Sequence, residues 1–270
     1  MTPPPTHRQI PVQRGPVRAT DCVAEEVPVA LLFNDQPHAV MMATPSDLED
    51  FARGFALTEG IVAAVDEIGA IVVAKAPPQG VTVTVRIPAQ RVEALAERSR
   101  SLTGRTGCGL CGAQTLAEAI RPTPRVPAGR SVQRSAVVRV LAALTDAQPL
   151  NARTGATHAA AFADAQGRLL AVREDVGRHN ALDKLIGHLI ATGVDTALGF
   201  AVITSRASYE MVQKAAVAGI PMLVAISAPT AFAVRLADEA GMTLIGFARG
   251  ERQVVYTCPA RLRDDHEAAA

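Results

Sequence analysis

Two cysteines three residues apart, Cys108 and Cys111, sit in the run Thr106-Gly107-Cys108-Gly109-Leu110-Cys111-Gly112. A thiol acts through its thiolate, which nearby positive charge or a helix N-terminus favours. Arg105 lies just upstream, and the apolar-periodic run Thr115–Ile120 predicts a helix start just downstream. The glycines remove side chains that would shield the sulfurs, and they open backbone conformations closed to other residues. Such a loop suits a sulfur that must meet two partners in turn. The same spacing also fits half of a zinc site or a buried thiol pair, and spacing alone leaves zinc and redox chemistry level. Cys22, at a predicted strand start, and Cys258, beside Pro259, have no thiol neighbour in the sequence and read as structural.

Further polar runs stand at the ends of predicted strands. Glu174-Asp175-Val176-Gly177-Arg178-His179-Asn180 lies between a strand and a helix. Helix N-termini offer free N–H groups to anions, and open α/β sheets bind ligands outside the carboxyl ends of their strands. Arg178 and His179 add charge and donors. The plainer alternative is helix capping by Asp175 or Asn180. Thr204-Ser205-Arg206-Ala207-Ser208 follows an apolar strand and resembles a phosphate cradle with Arg206 as counter-charge, or else a simple Ser208 cap. Asn151, Arg153, Thr154 and His158 form a candidate polar wall. Gly246-Phe247-Ala248-Arg249-Gly250-Glu251-Arg252 joins the last two predicted strands, and its spacing alone reads as a hairpin turn with solvated charges.

The elements that must position these runs follow from composition and periodicity. The chain has 270 residues, 49% hydrophobic and 20% charged, a globular composition long enough for one large or two small domains. A net charge of +1 supplies no field for nucleic acid or an anionic membrane. Aromatics at 3%, with no Trp, leave no base-stacking surface, so an anionic ligand needs a local pocket. Four scattered cysteines suit a reducing compartment. No secretory apolar region and no membrane-length apolar run is found, so a soluble, cytoplasmic protein is expected.

Residues 1–20 are Pro-rich and polar and are expected to be disordered. Residues 21–100 predict a small α+β domain, with strands over Cys22–Asn34, His38–Ala43, Ile68–Ala74 and Val81–Ile87. Its first helix ends at Thr58 behind a capping box, Ser46-Asp47-Leu48-Glu49, and a second helix covers Ala89–Ser99. Residues 101–258 hold the thiol loop, then a helix over Ala136–Thr145 and a hairpin of His158–Ala163 with Leu169–Arg173. Short apolar strands then alternate with helices, which predicts a sheet buried on both faces in a three-layer α/β domain. Residues 259–270 read as a charged C-terminal tail.

Several of these runs occur together in a familiar order. They are Asp47-Leu-Glu-Asp-Phe-Ala-Arg-Gly-Phe-Ala-Leu-Thr-Glu-Gly60, Cys108-Gly-Leu-Cys111-Gly, Thr154-Gly-Ala-Thr-His158-Ala-Ala, Glu174-Asp-Val-Gly-Arg-His-Asn-Ala-Leu-Asp-Lys184, Thr204-Ser-Arg206 and Gly246-Phe-Ala-Arg-Gly250. The chain resembles the FdhD/NarQ family over residues 21–258. The run 174–184 is specific; the C-x-x-C alone is not. The resemblance implies a sulfurtransferase that passes sulfur from a cysteine desulfurase to the molybdenum cofactor, Mo-bis(molybdopterin guanine dinucleotide), before its insertion into formate dehydrogenase. It implies a cytidine-deaminase-like second domain and a homodimer, for which the apolar edge of the hairpin at 27–43 is a candidate contact. Cys108 then matches the persulfide-forming cysteine and Cys111 its companion. Phe247, Ala248, Arg249, Gly250, Glu251 and Arg252 fall on the cofactor-binding segment, which replaces the turn reading and makes a GDP-like nucleotide a possible occupant. Arg206, Arg249 and Arg252 suit its phosphates; Glu251 or Asp175 suits the guanine N–H groups.

Two rival classes remain. Zinc deaminases place H-x-E upstream of P-C-x-x-C. Here Cys108 and Cys111 precede His158, position 160 is Ala, and position 107 is Gly, so no metal site is expected. A non-catalytic cofactor-binding chaperone is the other, and the thiol pair argues against it.

Overall fold

A computed structural model describes residues 4–76, 80–100 and 122–265. The stretch 1–20 was expected to be disordered, yet β1 (His7–Arg14) pairs antiparallel with β2 (Val17–Ala24) through a turn at Gly15, φ +59. Both strands of such a ribbon are edges, where the missing N–H of Pro11 is tolerated. Arg8 pairs with Glu25, and Arg14 with Asp21 at 3.2 Å.

The next unit is a four-stranded sheet and two helices. β3 (Val27–Phe33) and β4 (Gln36–Ala43) form a hairpin, followed by α1 (Leu48–Thr58), β5 (Ile71–Ala76), β6 (Gly80–Val85) and α2 (Ala89–Arg100). The strand order is β4-β3-β6-β5, with β3 parallel to β6. Val27, Val29, Leu31 and Phe33 alternate onto one face with Val81, Val83 and Val85, and Phe51, Ala52 and Phe55 of α1 cover them. The expected capping box does not form. Asp47 is the N-cap, left-handed at φ 52, with no side-chain cap bond. Glu49 is therefore the second helical residue, and a capping box needs it at the third.

The larger domain begins with β7 (Val132–Gln133), α3 (Arg134–Asp146) and α4 (Pro149–Thr154). β8 (His158–Asp164), β9 (Leu169–Asp175), α5 (Arg178–Ala191), β10 (Gly199–Ile203) and α6 (Tyr209–Val217) follow. β11 (Met222–Ala225), α7 (Ala231–Glu239), β12 (Thr243–Arg249), β13 (Arg252–Thr257) and β14 (Leu262–Arg263) complete it. The six-stranded sheet runs β13-β12-β11-β10-β8-β9, parallel from β10 to β12 and antiparallel elsewhere. Leu182, Leu185, Met211, Val212, Leu236 and Ala237 of α5, α6 and α7 pack on one face. Val137, Val140 and Leu144 of α3 cover Phe200, Val202, Val224 and Ile245 on the other. This is the three-layer α/β domain expected from the sequence.

The stretch 259–270, expected as a tail, starts docked. β14 pairs in parallel with β7, and Arg261 donates to the carbonyls of Ala128, Pro221 and Gly241 and to Thr243 Oγ1. Sequence periodicity cannot find a pairing of two-residue strands so far apart in the chain. Among the described residues no helix is long and apolar enough to cross a membrane.

The two units meet where α1 crosses α5. A Cβ on Gly54 would lie 1.9 Å from the Asp183 carbonyl oxygen, and one on Gly187 would lie 1.8 Å from that of Asp50. Two helix backbones this close leave room only for glycine on both sides.

Candidate functional site

The register of the large sheet brings several polar runs onto one rim. His158 pairs with Asp175, Ala160 with Ile203, Ile203 with Ala225, Val224 with Ile245, and Arg249 with Arg252. The segments 175–180, 204–208 and 247–252 therefore lie at the same edge, as the strand order requires. Backbone bonds stitch the loops together: Ala207 N–H to Ala228 O at 3.3 Å, Thr230 N–H to Ala207 O at 3.0 Å, and Phe247 N–H to Ser227 O at 3.1 Å. The segment 226–230 was missed in the sequence. Ala228-Pro229-Thr230 follows a buried strand and opens a helix, the pattern that singled out 204–208, but it carries no charge to draw attention.

Most of the distinctive run 174–184 turns out to hold the two units together. Asp175 and Lys184, both with 0% side-chain exposure, form an ion pair at 2.7 Å. Asp175 also accepts from Thr44 N–H, Gly177 N–H and Asn180 Nδ2. Lys184 Nζ donates to Thr44 O at 2.9 Å, and Asn180 Nδ2 to Met42 O at 2.9 Å. Thr44 follows β4, so this run grips the smaller unit. Glu174 accepts from the N–H groups of Leu150 and Asn151 and from Thr157 Oγ1. Asp183 accepts from Thr58 Oγ1 at 2.7 Å and from Lys214 Nζ, which also reaches Glu59. Burial works against the Lys214 ammonium, but the Asp183 and Glu59 carboxylates outweigh it and hold its pKa above the usual lysine value. Asp175 and Asn180 thus act in the rim's structure, and Asp175 is fully buried, away from any guanine.

Arg178, His179 and Ser208 are the residues left over. Arg178 Nε and Ser208 Oγ are buried without a hydrogen-bond partner. His179 Nε2 lies 2.9 Å from Glu210 Oε2 without the alignment of a hydrogen bond. Ser208 is the N-cap of α6 but makes no side-chain cap bond, so the simple-cap reading does not hold. His158 faces this group. Burial pushes its pKa below the usual histidine value, and the charges of Arg178 and His179 lower it further against the pull of Asp175. Arg206 is exposed beside them.

The segment 247–252 is a tight hairpin between β12 and β13 with Gly250 at φ +54. In shape the turn reading from spacing was right. Phe247 is bulged at φ +51 and 38% exposed, with the Arg252 guanidinium 5.6 Å from its ring centroid. Arg249, Glu251 and Arg252 are exposed. Ala248 is 1% exposed and packs in the core shared with α3, which limits it to backbone contacts with a ligand.

The remaining candidates separate. Asn151 Oδ1 accepts from Thr157 N–H and Thr154 Oγ1 donates to Leu150 O, so these residues shape the end of α4. Arg153 instead lines a cavity of about 420 Å³ with Thr6, His7, Asp47 and Arg173, a set that does not include His158. The polar wall expected from 151–158 is therefore split. Cys108, Cys111, Arg105 and the helix expected from Thr115 lie outside the described residues. Among the described residues no three His, Cys, Asp or Glu side chains group as metal ligands. Cys22 and Cys258 are partly exposed and unpaired with each other.

A three-layer α/β domain with a cationic strand-end rim, locked to a smaller sheet domain, defines the class. The chain belongs to the FdhD/NarQ family, whose sequence pattern it matches over residues 24–263. It is 52% identical over 257 residues to the sulfur carrier protein FdhD of Xanthomonas euvesicatoria, covering 94% of this chain and 91% of that one. It is 51% identical over 242 residues to the sulfur carrier protein FdhD of Variovorax paradoxus, covering 90% and 87%. A protein from Desulfotalea psychrophila described as a formate dehydrogenase accessory protein superposes with a TM-score of 0.73 at 27% identity, covering 95% of this chain and 98% of that crystal structure's.

Proposed function

We propose that this protein is a sulfur carrier that takes persulfide sulfur from a cysteine desulfurase and delivers it to Mo-bis(molybdopterin guanine dinucleotide) bound on the strand-end rim, before formate dehydrogenase receives the cofactor. The observation that carries this reading is the 52% identity, over 94% of the chain, to a protein named as a sulfur carrier. In the first step the Cys108 thiolate attacks the outer sulfur of the desulfurase persulfide. One S–S bond breaks as another forms, and the desulfurase thiolate leaves. Attack by Cys111 on the new persulfide would release hydrosulfide and leave a Cys108–Cys111 disulfide, which a thiol reductant must reopen. The cofactor is cargo here, and this chain's part is to bind and orient it. The hairpin 247–252 offers Arg249 and Arg252 to phosphate and Glu251 to guanine N–H groups, with Gly250 allowing close approach. Two copies pairing through β4, where Val40 is 67% and Met42 49% exposed, fits the expected homodimer. The cytoplasm suits this thiol chemistry.

Mass spectrometry after incubation with a desulfurase and cysteine should find added sulfur on Cys108, and Cys108→Ala should abolish transfer. Persulfide confined to Cys22 or Cys258 would refute the assignment. On the cofactor side, Arg249→Ala should weaken GDP binding by roughly ten- to a hundredfold, the value of one charge-assisted bond, while sulfur loading of Cys108 survives.

A further inference from the structure

We infer that Arg178, His179 and Ser208 form a second anion-binding subsite on the rim, separate from the hairpin 247–252 and suited to a phosphate or diphosphate group. This deepens, and rests on, the reading of the rim as the site of a phosphate-bearing cofactor. The first observation is what these residues do not do. Within the run 174–184, Glu174, Asp175, Asn180, Asp183 and Lys184 are all committed to internal bonds. Arg178 Nε and Ser208 Oγ are two of the five buried side-chain atoms without a hydrogen bond among the described residues, and a third, His179 Nε2, keeps only the Glu210 carboxylate at 2.9 Å. Native proteins pair nearly all such atoms, and an unmet one costs stability. Two such atoms on segments of one rim that the His179–Glu210 contact joins point to a missing acceptor.

The second observation is charge. Burial first, and then the charges of Arg178 and His179 beside it, lower the His158 pKa, so His158 lies against the positive charge of this group. Glu210, the facing carboxylate, touches His179 without a well-formed bond, and an incoming anion would compete with it for the imidazole N–H. The third is separation. Ser208 follows β10 and Arg178 follows β9, two and four strands along from β12. At about 4.8 Å per strand these lie on the order of 10 and 19 Å from the hairpin. The backbones of Arg178 and Arg249 therefore stand at different parts of the rim. A ligand spanning the rim must carry more than one polar contact point, as a dinucleotide-bearing cofactor does.

Inorganic pyrophosphate is the probe, titrated calorimetrically into the full chain. Wild type should bind it. Arg178→Ala should weaken binding about tenfold or more, Arg178→Lys should recover only part because Lys lacks the forked donor, and Ser208→Ala should weaken it severalfold. GDP titrated in parallel reads the hairpin: Arg178→Ala should weaken pyrophosphate binding more than GDP binding, and Arg249→Ala should do the reverse. Pyrophosphate binding without GDP binding would remove the guanosine reading and leave the subsite standing. No pyrophosphate binding, or equal binding by wild type, Arg178→Ala and Ser208→Ala, would overturn the subsite even if GDP binds. Equal losses in Arg178→Ala and Arg249→Ala would mark one shared site and overturn the separation. Ser208→Ala removes one hydroxyl that bonds to nothing, so misfolding does not confound it.

Discussion

Lys184→Met tests whether the run 174–184 is first a structural clamp. Met matches the length of the lysine stem, so the change removes charge and donors and leaves no large void. It strips Asp175 of its partner at 2.7 Å in a place with no solvent exposure. Breaking a buried pair from one side costs about 3–5 kcal/mol, because the remaining charge is stranded. Here Asp175 keeps three donors, from Thr44, Gly177 and Asn180, which places the expected loss near the lower end. Thr44 O loses its Lys184 bond as well. A loss of about 3 kcal/mol moves the unfolding equilibrium on the order of a hundredfold. The chain has no Trp, so urea unfolding is best followed by far-UV circular dichroism. The double variant Asp175→Asn/Lys184→Met removes the stranded charge and should cost at least about 1 kcal/mol less than the sum of the single changes. A single-variant loss under about 1 kcal/mol, or full additivity in the double, would show that the pair does not hold the rim.

At the helix crossing, Gly187→Ala puts a Cβ 1.8 Å from a backbone carbonyl and should cost about 3 kcal/mol or more, since neither helix can yield by a rotamer change. Gly193→Ala, at φ +66 with open space, should cost only about 1–2 kcal/mol, and equal losses in thermal melts would discount the crossing. His158 should titrate by NMR below its reference 6.5, from burial first and the neighbouring cations second. A depressed folded pKa means that its contribution to stability is present above the unfolded value and lost as pH falls through the folded one. Acid melts of wild type should therefore drop more steeply below about pH 6.5 than those of His158→Gln, and identical slopes would count against the shift.

The parts of the fold legible in the sequence are those whose partners are local or repeated. Strands such as Phe200–Ile203 and Met222–Ala225 are apolar throughout because both faces are covered, and Gly219 and Gly241 mark where α6 and α7 stop. The parts that were not legible depend on distant partners. β1 and β2 look polar because a ribbon buries little, and β7 finds β14 across 130 residues. Ser46 and Glu49 have the chemistry of a capping box, but the left-handed turn at Asp47 shifts the helix start by one residue. Within the candidate site, the charged junctions were visible as junctions. Which of their side chains were free was not, because that is decided by Thr44, Thr58 and Lys214, which lie far away in the chain.

That division of labour has a physical consequence for the rim. Donors that bind an anion well must be held in place before it arrives, since ordering a long side chain on binding costs affinity. Arg178 and His179 open α5, and the next turns of that helix are fixed by Asn180, Asp183, Lys184 and the Gly54–Gly187 contact. If the rim binds an anion as proposed, the smaller domain serves that binding without touching the ligand: its α1 and Thr44 hold the helix whose first residues face the rim. Loosening that grip should weaken anion binding along with stability. Lys184→Met, which alters no rim donor, should lower pyrophosphate affinity severalfold at temperatures where the protein remains folded. If its affinity matched wild type there, the clamp would serve stability alone, and preorganisation of Arg178 and His179 would have to come from α5 itself.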